Sequence, residues 1–266
     1  SVQLSAAHHH PPVQLVVRKV AYAMASSKAS SNSLMVASWD PMQYINEQPT
    51  PLCLTRVTRD IAEMNADPLP GIFISPEEID LTRIHAIVVG PQGTPYEGGF
   101  FHFFMKCPPN CPVVPPRVRI MTTDAGRVRF NPNLYACGKS LMNEEPYYNE
   151  PCATPLPVLA ARYSDRVRHD TVRVAICDAV EACLRDAQPY PAYLASVVLK
   201  TFADSYDKYE DMVKRLVDLN NSWRLSWILG MAPTYRYEPL LACLKELGPR
   251  VKDKIAADAA ADVNAQ

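Results

Sequence analysis

Five prolines lie within nine residues of this chain: Pro108, Pro109, Pro112, Pro115 and Pro116. Proline has no backbone N–H to donate, and its ring clashes with the interior of a helix. This stretch can therefore form neither a helix nor a central strand. It is predicted to be a rigid loop, and the regular structure must be built on either side of it.

Turn residues separate two short apolar runs ahead of the proline loop. The runs cover residues 84–89 and 100–105, and Gly90-Pro91, Gly93 and the pair Gly98-Gly99 lie between them. Apolar runs of this length, bounded by glycine and proline, predict β-strands. Residues 72–74 and 118–121 add two further strands, so the sequence predicts a four-stranded antiparallel meander.

An amphipathic helix is predicted ahead of the first strand. From residue 52 onward, Leu54, Val57, Ile61 and Met64 recur at helical spacing,. The sequence DPLPG at residues 67–71 cannot continue a helix and ends it. We expect the apolar stripe of this helix to pack on the meander, because neither has another apolar surface to cover it. The predicted fold class is therefore α+β.

The order of motifs within residues 39–151 resembles that of the ubiquitin-conjugating enzymes. Gly-Pro, Pro-Tyr-Glu-Gly-Gly-Phe-Phe, Pro-x-x-Pro-x-x-Pro-Pro, Asn-Pro-Asn and Gly-Lys follow one another at spacings compatible with that family. The sequence is most similar to the long, C-terminally extended Z type. The resemblance implies the family's fold, an N-terminal helix packed on a four-stranded antiparallel meander. It also implies the family's activity, in which ubiquitin or a ubiquitin-like modifier is held as a thioester on a cysteine and passed to a lysine.

The cysteine that carries the thioester in that family is missing. In the family it follows Gly-Lys after one aliphatic residue. Here Gly138-Lys139 runs directly into residues 140–147, SLMNEEPY, which resemble the family's sequence beyond its catalytic helix. An internal deletion of roughly thirty residues, a length taken from the family pattern, explains this order. The predicted core domain, residues 39–151, is therefore truncated after Lys139.

Asn133 and Cys137 are the remaining candidates for catalytic residues. The resemblance gives Asn133, in Asn131-Pro132-Asn133, the role of hydrogen-bonding the oxyanion that forms when a lysine attacks the thioester. The alternative is that the tripeptide serves only as a turn. Without a thioester, Asn-Pro-Asn can serve only as a turn. Cys137 is a poor substitute for the nucleophile, because it is displaced by four residues from the family's position and has no neighbouring His or helix N-terminus to activate it,.

Three residues are candidates for partner binding through the resemblance. Arg56 and Arg59 lie on the polar side of the predicted helix, where the family docks the ubiquitin-activating enzyme, although two such arginines are also typical of a solvated face. Val113 occupies the position of an apolar loop residue that faces ubiquitin ligases in the family. An exposed valine without a role is the equal alternative. The expected partners are the activating enzyme, ubiquitin or a ubiquitin-like modifier, and a ubiquitin ligase.

Helical patterns follow the core, and a segment without periodicity precedes it. Apolar residues recur at helical spacing in three stripes. The stripes are Val172, Ile176, Ala179, Val180 and Cys183; Val198, Phe202, Tyr206, Tyr209 and Leu216; and Leu240, Leu244, Leu247, Val251 and Ile255. Residues 152–266 are therefore predicted to be a helical extension attached to the meander. In the family such an extension shapes which modifier and activating enzyme are accepted. Residues 1–38 are predicted to be a disordered tail.

Composition narrows the function classes. The formal net charge is −1, whereas a protein that binds mainly nucleic acid needs a basic excess,. No apolar run is long enough to cross a membrane. The eight cysteines show no metal-type pairs, and Cys107 and Cys111 have no second pair with which to bind zinc,. No metal or other cofactor is predicted, and reduced thiols indicate the cytoplasm or the nucleus.

Two functions of different class follow, together with a third interpretation. The first is a member of the ubiquitin-conjugating enzymes, which receive the modifier as a thioester, and it is expected to be catalytically incompetent as written because the cysteine segment is missing. The second is a non-catalytic binding module that docks modifier, activating enzyme or ligase without transferring anything, and the missing cysteine distinguishes the two. The third is a mis-spliced product or faulty exon model, since the deletion removes a core helix and could expose apolar surface.

Overall fold

The computed structural model describes residues 39–131, 134–140, 157–185, 190–222 and 235–264. The predicted disordered tail, residues 1–38, and the candidate Asn133 lie outside these ranges. Among the helices that the structure describes, none has the length and apolar character needed to cross a membrane.

The predicted N-terminal helix is α1, Pro51–Ala66. Thr50 caps it, because its Oγ1 accepts a hydrogen bond from the backbone N–H of Cys53 at 3.2 Å, and Pro51 occupies the first helical position,. The same hydroxyl donates to the carbonyl oxygen of Pro109 at 2.6 Å. The cap thus fixes α1 against the proline loop. A short 3-10 helix, Pro41–Tyr44, precedes α1.

The predicted four-stranded antiparallel meander is confirmed. Its strands are β1 Ile72–Pro76, β2 Arg83–Val89, β3 Phe100–Lys106 and β4 Arg117–Ile120. They pair in chain order, and each pair is antiparallel. In this register Ile87 lies opposite His102, and Phe103 lies opposite Ile120.

Both faces of the sheet are covered. On the first face, Phe101, Phe103 and Met105 of β3 belong to a core that includes Val57 of α1. On the second face, Ile87 and Phe100 belong to a core formed with the C-terminal helices. All seven residues of β3 are consequently buried. The molecule has three layers, with the sheet between α1 and the C-terminal helices.

The predicted helical extension is present, with two unpredicted irregularities. Its elements are α2 Pro157–Asp170, a π-helix Thr171–Asp178, α3 Ala179–Leu184, α4 Ala192–Asp204, α5 Tyr206–Ser222 and α6 Glu238–Asn264. The first stripe is thus wound partly as a π-helix, which apolar periodicity does not reveal. The second stripe is interrupted at Ser205 (φ −112°, ψ 10°). Across this break, the rings of Phe202 and Tyr209 stack with their centroids 5.3 Å apart.

The extension is attached to the meander through the glycine pair. The hydroxyl of Tyr209 donates to the carbonyl oxygen of Gly98 at 2.9 Å. Gly98 has a φ of +71°, and a Cβ there would lie 2.4 Å from a Tyr209 ring carbon. A Cβ on Gly99 would lie 2.7 Å from the Thr171 methyl. Only glycine permits both the backbone conformation and this close approach. The predicted attachment of the extension is therefore confirmed.

A buried cation lies at the end of β3. The Lys106 side chain is fully buried, and its Nζ donates to Asp80 Oδ2 at 2.7 Å, to Thr82 Oγ1 at 2.6 Å and to the carbonyl oxygen of Glu47 at 3.1 Å. Burial of Asp80 raises the pKa of that carboxyl, but the hydrogen bonds from Lys106 and Thr82 outweigh this effect and lower it overall. All three ammonium protons have acceptors, so the ion pair holds the β1–β2 turn and the N-terminal segment to the sheet.

Two histidines face the extension from neighbouring strands. His85 Nδ1 and His102 Nε2 lie 3.0 Å apart. The His102 ring stacks on the Tyr190 ring, with the two ring centroids 4.9 Å apart. His102 is 1% exposed, and its Nδ1 has no hydrogen-bond partner among the described residues. Burial lowers the pKa of His102 to about 3, helped by the neighbouring His85, whose own pKa burial also lowers. Both imidazoles are therefore neutral in the folded protein at neutral pH.

Replacing Lys106 by methionine tests the buried ion pair. Lys106→Met leaves the Asp80 carboxylate without its ammonium partner, so we expect the free energy of unfolding to fall by about 3 kcal/mol, as measured by urea unfolding. Without Lys106, the Asp80 carboxylate keeps, among the described residues, only Arg83, whose Nε lies 3.2 Å from its Oδ2, as a charged partner. The double variant Lys106→Met with Asp80→Asn removes this weakly compensated carboxylate and should recover part of the loss. A double variant no more stable than the single variant would contradict the role assigned to the pair.

The buried histidine predicts a loss of stability in acid. In the unfolded chain, His102 has a pKa of about 6.5 and is protonated below that pH. In the folded chain, the pKa of His102 is about 3, so the imidazole stays neutral down to about pH 3,. Stability should therefore fall as the pH drops through this window. His102→Phe should reduce the difference in unfolding free energy between pH 7 and pH 5 by about 2 kcal/mol. Urea unfolding at both pH values measures it, and equal differences in the two proteins would refute the assignment.

Candidate functional site

The predicted catalytic segment folds as a small antiparallel turn after β4. Leu134 pairs with Ser140, and Lys139 pairs with Arg119 of β4. The backbone N–H of Tyr135 donates to the carbonyl oxygen of Lys139 at 2.9 Å. The chain therefore reverses direction between Leu134 and Ser140 and returns beside the sheet. Residues 141–156, which include the expected cysteine position, lie outside the described ranges.

Asn131 has a structural role in this segment. Its side chain is buried, and its Nδ2 donates to the Tyr96 hydroxyl at 3.2 Å. That hydroxyl donates in turn to the carbonyl oxygen of Phe130 at 3.0 Å. Burial raises the pKa of Tyr96, and the hydrogen bond from Asn131 offsets part of the rise. The first asparagine of Asn-Pro-Asn thus anchors the segment to the β2–β3 connection. The oxyanion role of Asn133 remains a prediction.

Cys137 is at the tip of the turn. The backbone N–H of Gly138 donates to the carbonyl oxygen of Tyr135 at 2.9 Å, which places Cys137 within the reversal, and its side chain is exposed. Across the ranges that the structure describes, no side chain forms a hydrogen bond or ion pair with this thiol. A nucleophilic thiol needs a base, a cation or a helix N-terminus beside it. Cys137 is accessible but has no activating contact.

Three other thiols cluster behind α1 and cannot replace the nucleophile. Cys53, Cys107 and Cys111 are at most 1% exposed. The Cys53 thiol donates to the carbonyl oxygen of Pro108 at 3.3 Å, and burial raises its pKa to about 11. The hydrogen bond with Cys111, together with burial, raises the pKa of Cys107. These cysteines pack the proline loop against α1 and are inaccessible to a modifier. Over the described part of the chain, no group of three or more His, Cys, Asp and Glu residues could hold a metal ion.

The two arginines predicted to dock the activating enzyme differ in environment. The Arg59 side chain is 68% exposed and pairs with Glu63 at 2.8 Å. The Arg56 side chain is only 19% exposed and pairs at 2.9 Å with Asp60, whose side chain is fully buried. Burial raises the pKa of Asp60, while Arg56 opposes this effect. Arg56 therefore stabilises a buried carboxylate, and Arg59 presents its charge to solvent.

Val113 lies on the proline loop, which contacts the first turn of α1. Its side chain is 62% exposed. Leu52, on that first turn, is 66% exposed. Because Thr50 and Cys53 both bond to carbonyl oxygens of the loop, the loop and the start of α1 form one rigid surface. The predicted ligase-facing residue is thus exposed on an ordered support.

The residues that connect this segment to the extension are not predicted from the sequence. Arg173 of the π-helix pairs at 2.8 Å with Asp124, in the loop after β4, and at 3.3 Å with Asp170. Asp124 has a φ of +51°, a conformation that sequence periodicity does not predict. The motif Gly98-Gly99 was a detectable signal, but the sequence alone does not show which element approaches it. Asn131 was likewise considered only as part of a turn.

Comparisons with known proteins bear on both the core and the extension. Residues 56–144 match the family model described as ubiquitin-conjugating enzyme. The chain is 39% identical to the ubiquitin-conjugating enzyme E2 Z of Homo sapiens over 262 aligned positions, covering 86% of this chain and 73% of the relative. It is 35% identical to the E2 Z of Danio rerio, covering 84% of this chain and 77% of the relative. A shorter match, 36% identical over 98 residues, is to the ubiquitin-conjugating enzyme E2 S of Dictyostelium discoideum, covering 37% of this chain and 43% of the relative.

In the longer alignments, about thirty positions in total have no counterpart in this chain. The alignment with the human protein has 262 positions but includes only 86% of the 266 residues here, so about 33 positions of the relative face no residue of this chain. The alignment with the Danio rerio protein leaves about the same number unmatched. This length agrees with the deletion of roughly thirty residues inferred from the family pattern. The similarity extends well beyond the core and includes the extension. The chain belongs to the ubiquitin-conjugating enzyme family.

Proposed function

We propose that this chain binds components of the ubiquitin pathway through the docking surfaces of its family and does not itself carry a thioester. The observation that supports this proposal is the turn from Leu134 to Ser140, in which a buried serine, Ser140, follows Gly138-Lys139 where the family continues towards its cysteine. A thioester requires a thiolate beside an oxyanion donor, because the sulfur must attack a carbonyl whose developing charge is stabilised. The accessible thiol here, Cys137, has no such support among the described residues.

The rigid surfaces that remain support a binding role. Arg59 offers an exposed cation on α1, and Val113 and Leu52 offer exposed apolar side chains nearby on the proline loop and first turn. The relatives from Homo sapiens and Danio rerio are named ubiquitin-conjugating enzymes. By analogy, the partners of this chain are the activating enzyme, a ubiquitin-type modifier and a ligase. The seven described cysteines are free thiols, which supports a location in the cytoplasm or the nucleus,.

The second candidate function is thioester transfer by Cys137. The exposure of this cysteine at the tip of a turn favours it, since an incoming modifier could reach the thiol. Among the residues that the structure describes, no base or cation lies within hydrogen-bonding distance of this thiol, which disfavours the second function,. A charging assay distinguishes the two functions.

We expect no thiol-sensitive adduct when the chain is incubated with activating enzyme, ubiquitin and ATP and analysed on a non-reducing gel. An established conjugating enzyme charged in the same mixture is the positive control. A second control restores the missing segment between Lys139 and Ser140 from the Homo sapiens E2 Z, and this chimera should charge. A band shifted by the mass of one modifier and cleaved by thiol would overturn the proposal. If this band disappears in the Cys137→Ala variant, Cys137 is the nucleophile.

Binding of the activating enzyme is tested separately with Arg59→Glu. Reversing this exposed charge should weaken binding about tenfold, because rim charges guide and support association. The matched control is Arg185→Glu, which alters an arginine of similar exposure that also pairs with a glutamate four residues away, but in the extension. Surface plasmon resonance measures both affinities. Equal affinities in the two variants would show that α1 does not dock this partner.

A further inference from the structure

A cavity of about 360 Å³ lies between the β2–β3 connection and the extension. Thr94 and Glu97 of the connection form one wall. Arg168 of α2 and Thr171 of the π-helix line it as well, and one face of α5 lines the remainder. Its volume falls within the range of small-molecule sites. The turn that carries Cys137, helix α1 and the proline loop contribute none of these residues, so the cavity is separate from the sites discussed above.

Two unpaired cations line the cavity from α5. Lys208 and Arg215 are seven residues apart, which places them on the same helix face two turns apart,. Neither forms a side-chain hydrogen bond or ion pair with any residue that the structure describes. Arg168 adds a third cation, although it pairs with Asp165 at 2.9 Å in an exposed contact. The charge available to a ligand is therefore mainly positive.

A buried hydroxyl without a partner lines the same cavity. Thr171 is 1% exposed, and its Oγ1 has no hydrogen-bond partner in the described part of the chain. The methyl group of Thr171 faces Gly99, where an added Cβ would lie within 2.7 Å. A buried hydroxyl that makes no hydrogen bond is destabilising, so this position favours a ligand with an oxygen acceptor.

The carboxylates of the cavity are fewer and partly engaged. Glu97 Oε2 accepts the backbone N–H of Gly93 at 3.0 Å. The Oδ1 atom of Asp211 lies 4.0 Å from Lys214 Nζ, which is too far for a hydrogen bond,. The Asp211 carboxylate can therefore still accept a hydrogen bond from a ligand. A fitting ligand would therefore bind Lys208 and Arg215 through an anionic group and donate a hydrogen bond to Asp211.

We propose that this cavity binds a phosphate monoester whose organic part carries hydrogen-bond donors. The phosphate oxygens accept from Lys208, Arg215 and Thr171, and guanidinium groups suit phosphate because they donate in a planar fork. A hydroxyl or ammonium group of the organic part donates to Asp211. The same chemistry is offered by a free phosphorylated metabolite and by a phosphorylated side chain of a partner protein.

Calorimetric titration of the full chain with O-phospho-L-serine tests the site. We expect one saturable site with a dissociation constant on the order of 1 mM or tighter. Lys208→Ala and Arg215→Ala should each weaken binding about tenfold, because each removes a charge-assisted hydrogen bond. Lys245→Ala removes an exposed lysine of α6 that does not line the cavity, and it should leave the affinity unchanged. Equal losses in all three variants, or no saturable binding, would overturn the proposal.

Thr171→Val supplies a second, independent readout. It replaces an unpartnered hydroxyl by a methyl group of similar shape, so the melting temperature of the unliganded chain should stay equal or rise, while affinity for O-phospho-L-serine falls about fivefold. A lower melting temperature would show that the hydroxyl already has a partner and would remove this support.

Two further ligands identify the chemistry and its source. Inorganic phosphate should bind more weakly than O-phospho-L-serine, and equal affinity would contradict the role given to Asp211. A phosphoserine peptide that binds more tightly than the free amino acid would identify a partner's side chain as the source, and the opposite order would identify a metabolite. Either order supports a phosphate monoester site.

Discussion

Burial of the sheet on both of its faces is the constraint on which the rest of the structure depends. A sheet with one solvated face alternates apolar and polar residues, whereas β3 is buried at every position,. Polar residues within it must then find partners inside the protein, as Lys106 does with Asp80 and Thr82. The extension is therefore part of the folded unit and not an addition to a finished core, because removing it would expose Phe100 and Ile87.

The same architecture keeps the segment beside the family's catalytic position ordered despite the missing residues. Tyr96 and Asn131 connect it to the β2–β3 connection, and the bridge between Lys139 and Arg119 connects it to β4. Asp124 and Arg173 connect the preceding loop to the π-helix. Each contact is independent of a nucleophile. The family's framework can therefore hold this segment in place without a nucleophile, which is the physical basis for the proposed binding role.

Local patterns were sufficient to predict the elements of the core, because each strand and α1 is marked by its own periodicity and by glycine or proline at its ends. The continuous run FFHFFM at β3 also agrees with burial on two faces. The π-helix and the break at Ser205 could not be predicted, since tertiary packing sets them. The environments of Arg56 and Arg59 also differ for a tertiary reason: the partner of Arg56, Asp60, is fully buried, whereas periodicity alone places both arginines on one polar face.

The contact between Tyr209 and Gly98 joins residues 111 positions apart in the chain. During synthesis, the ribosome releases the meander long before α5 and α6 exist to cover its second face. Phe100 and Ile87 stay uncovered throughout that interval, and long-range contacts of this kind form slowly,. The nascent chain thus passes through a stage at which an apolar sheet face is open to aggregation or to chaperones. Translation speed between the end of β4 and the start of α5 sets the length of that exposure.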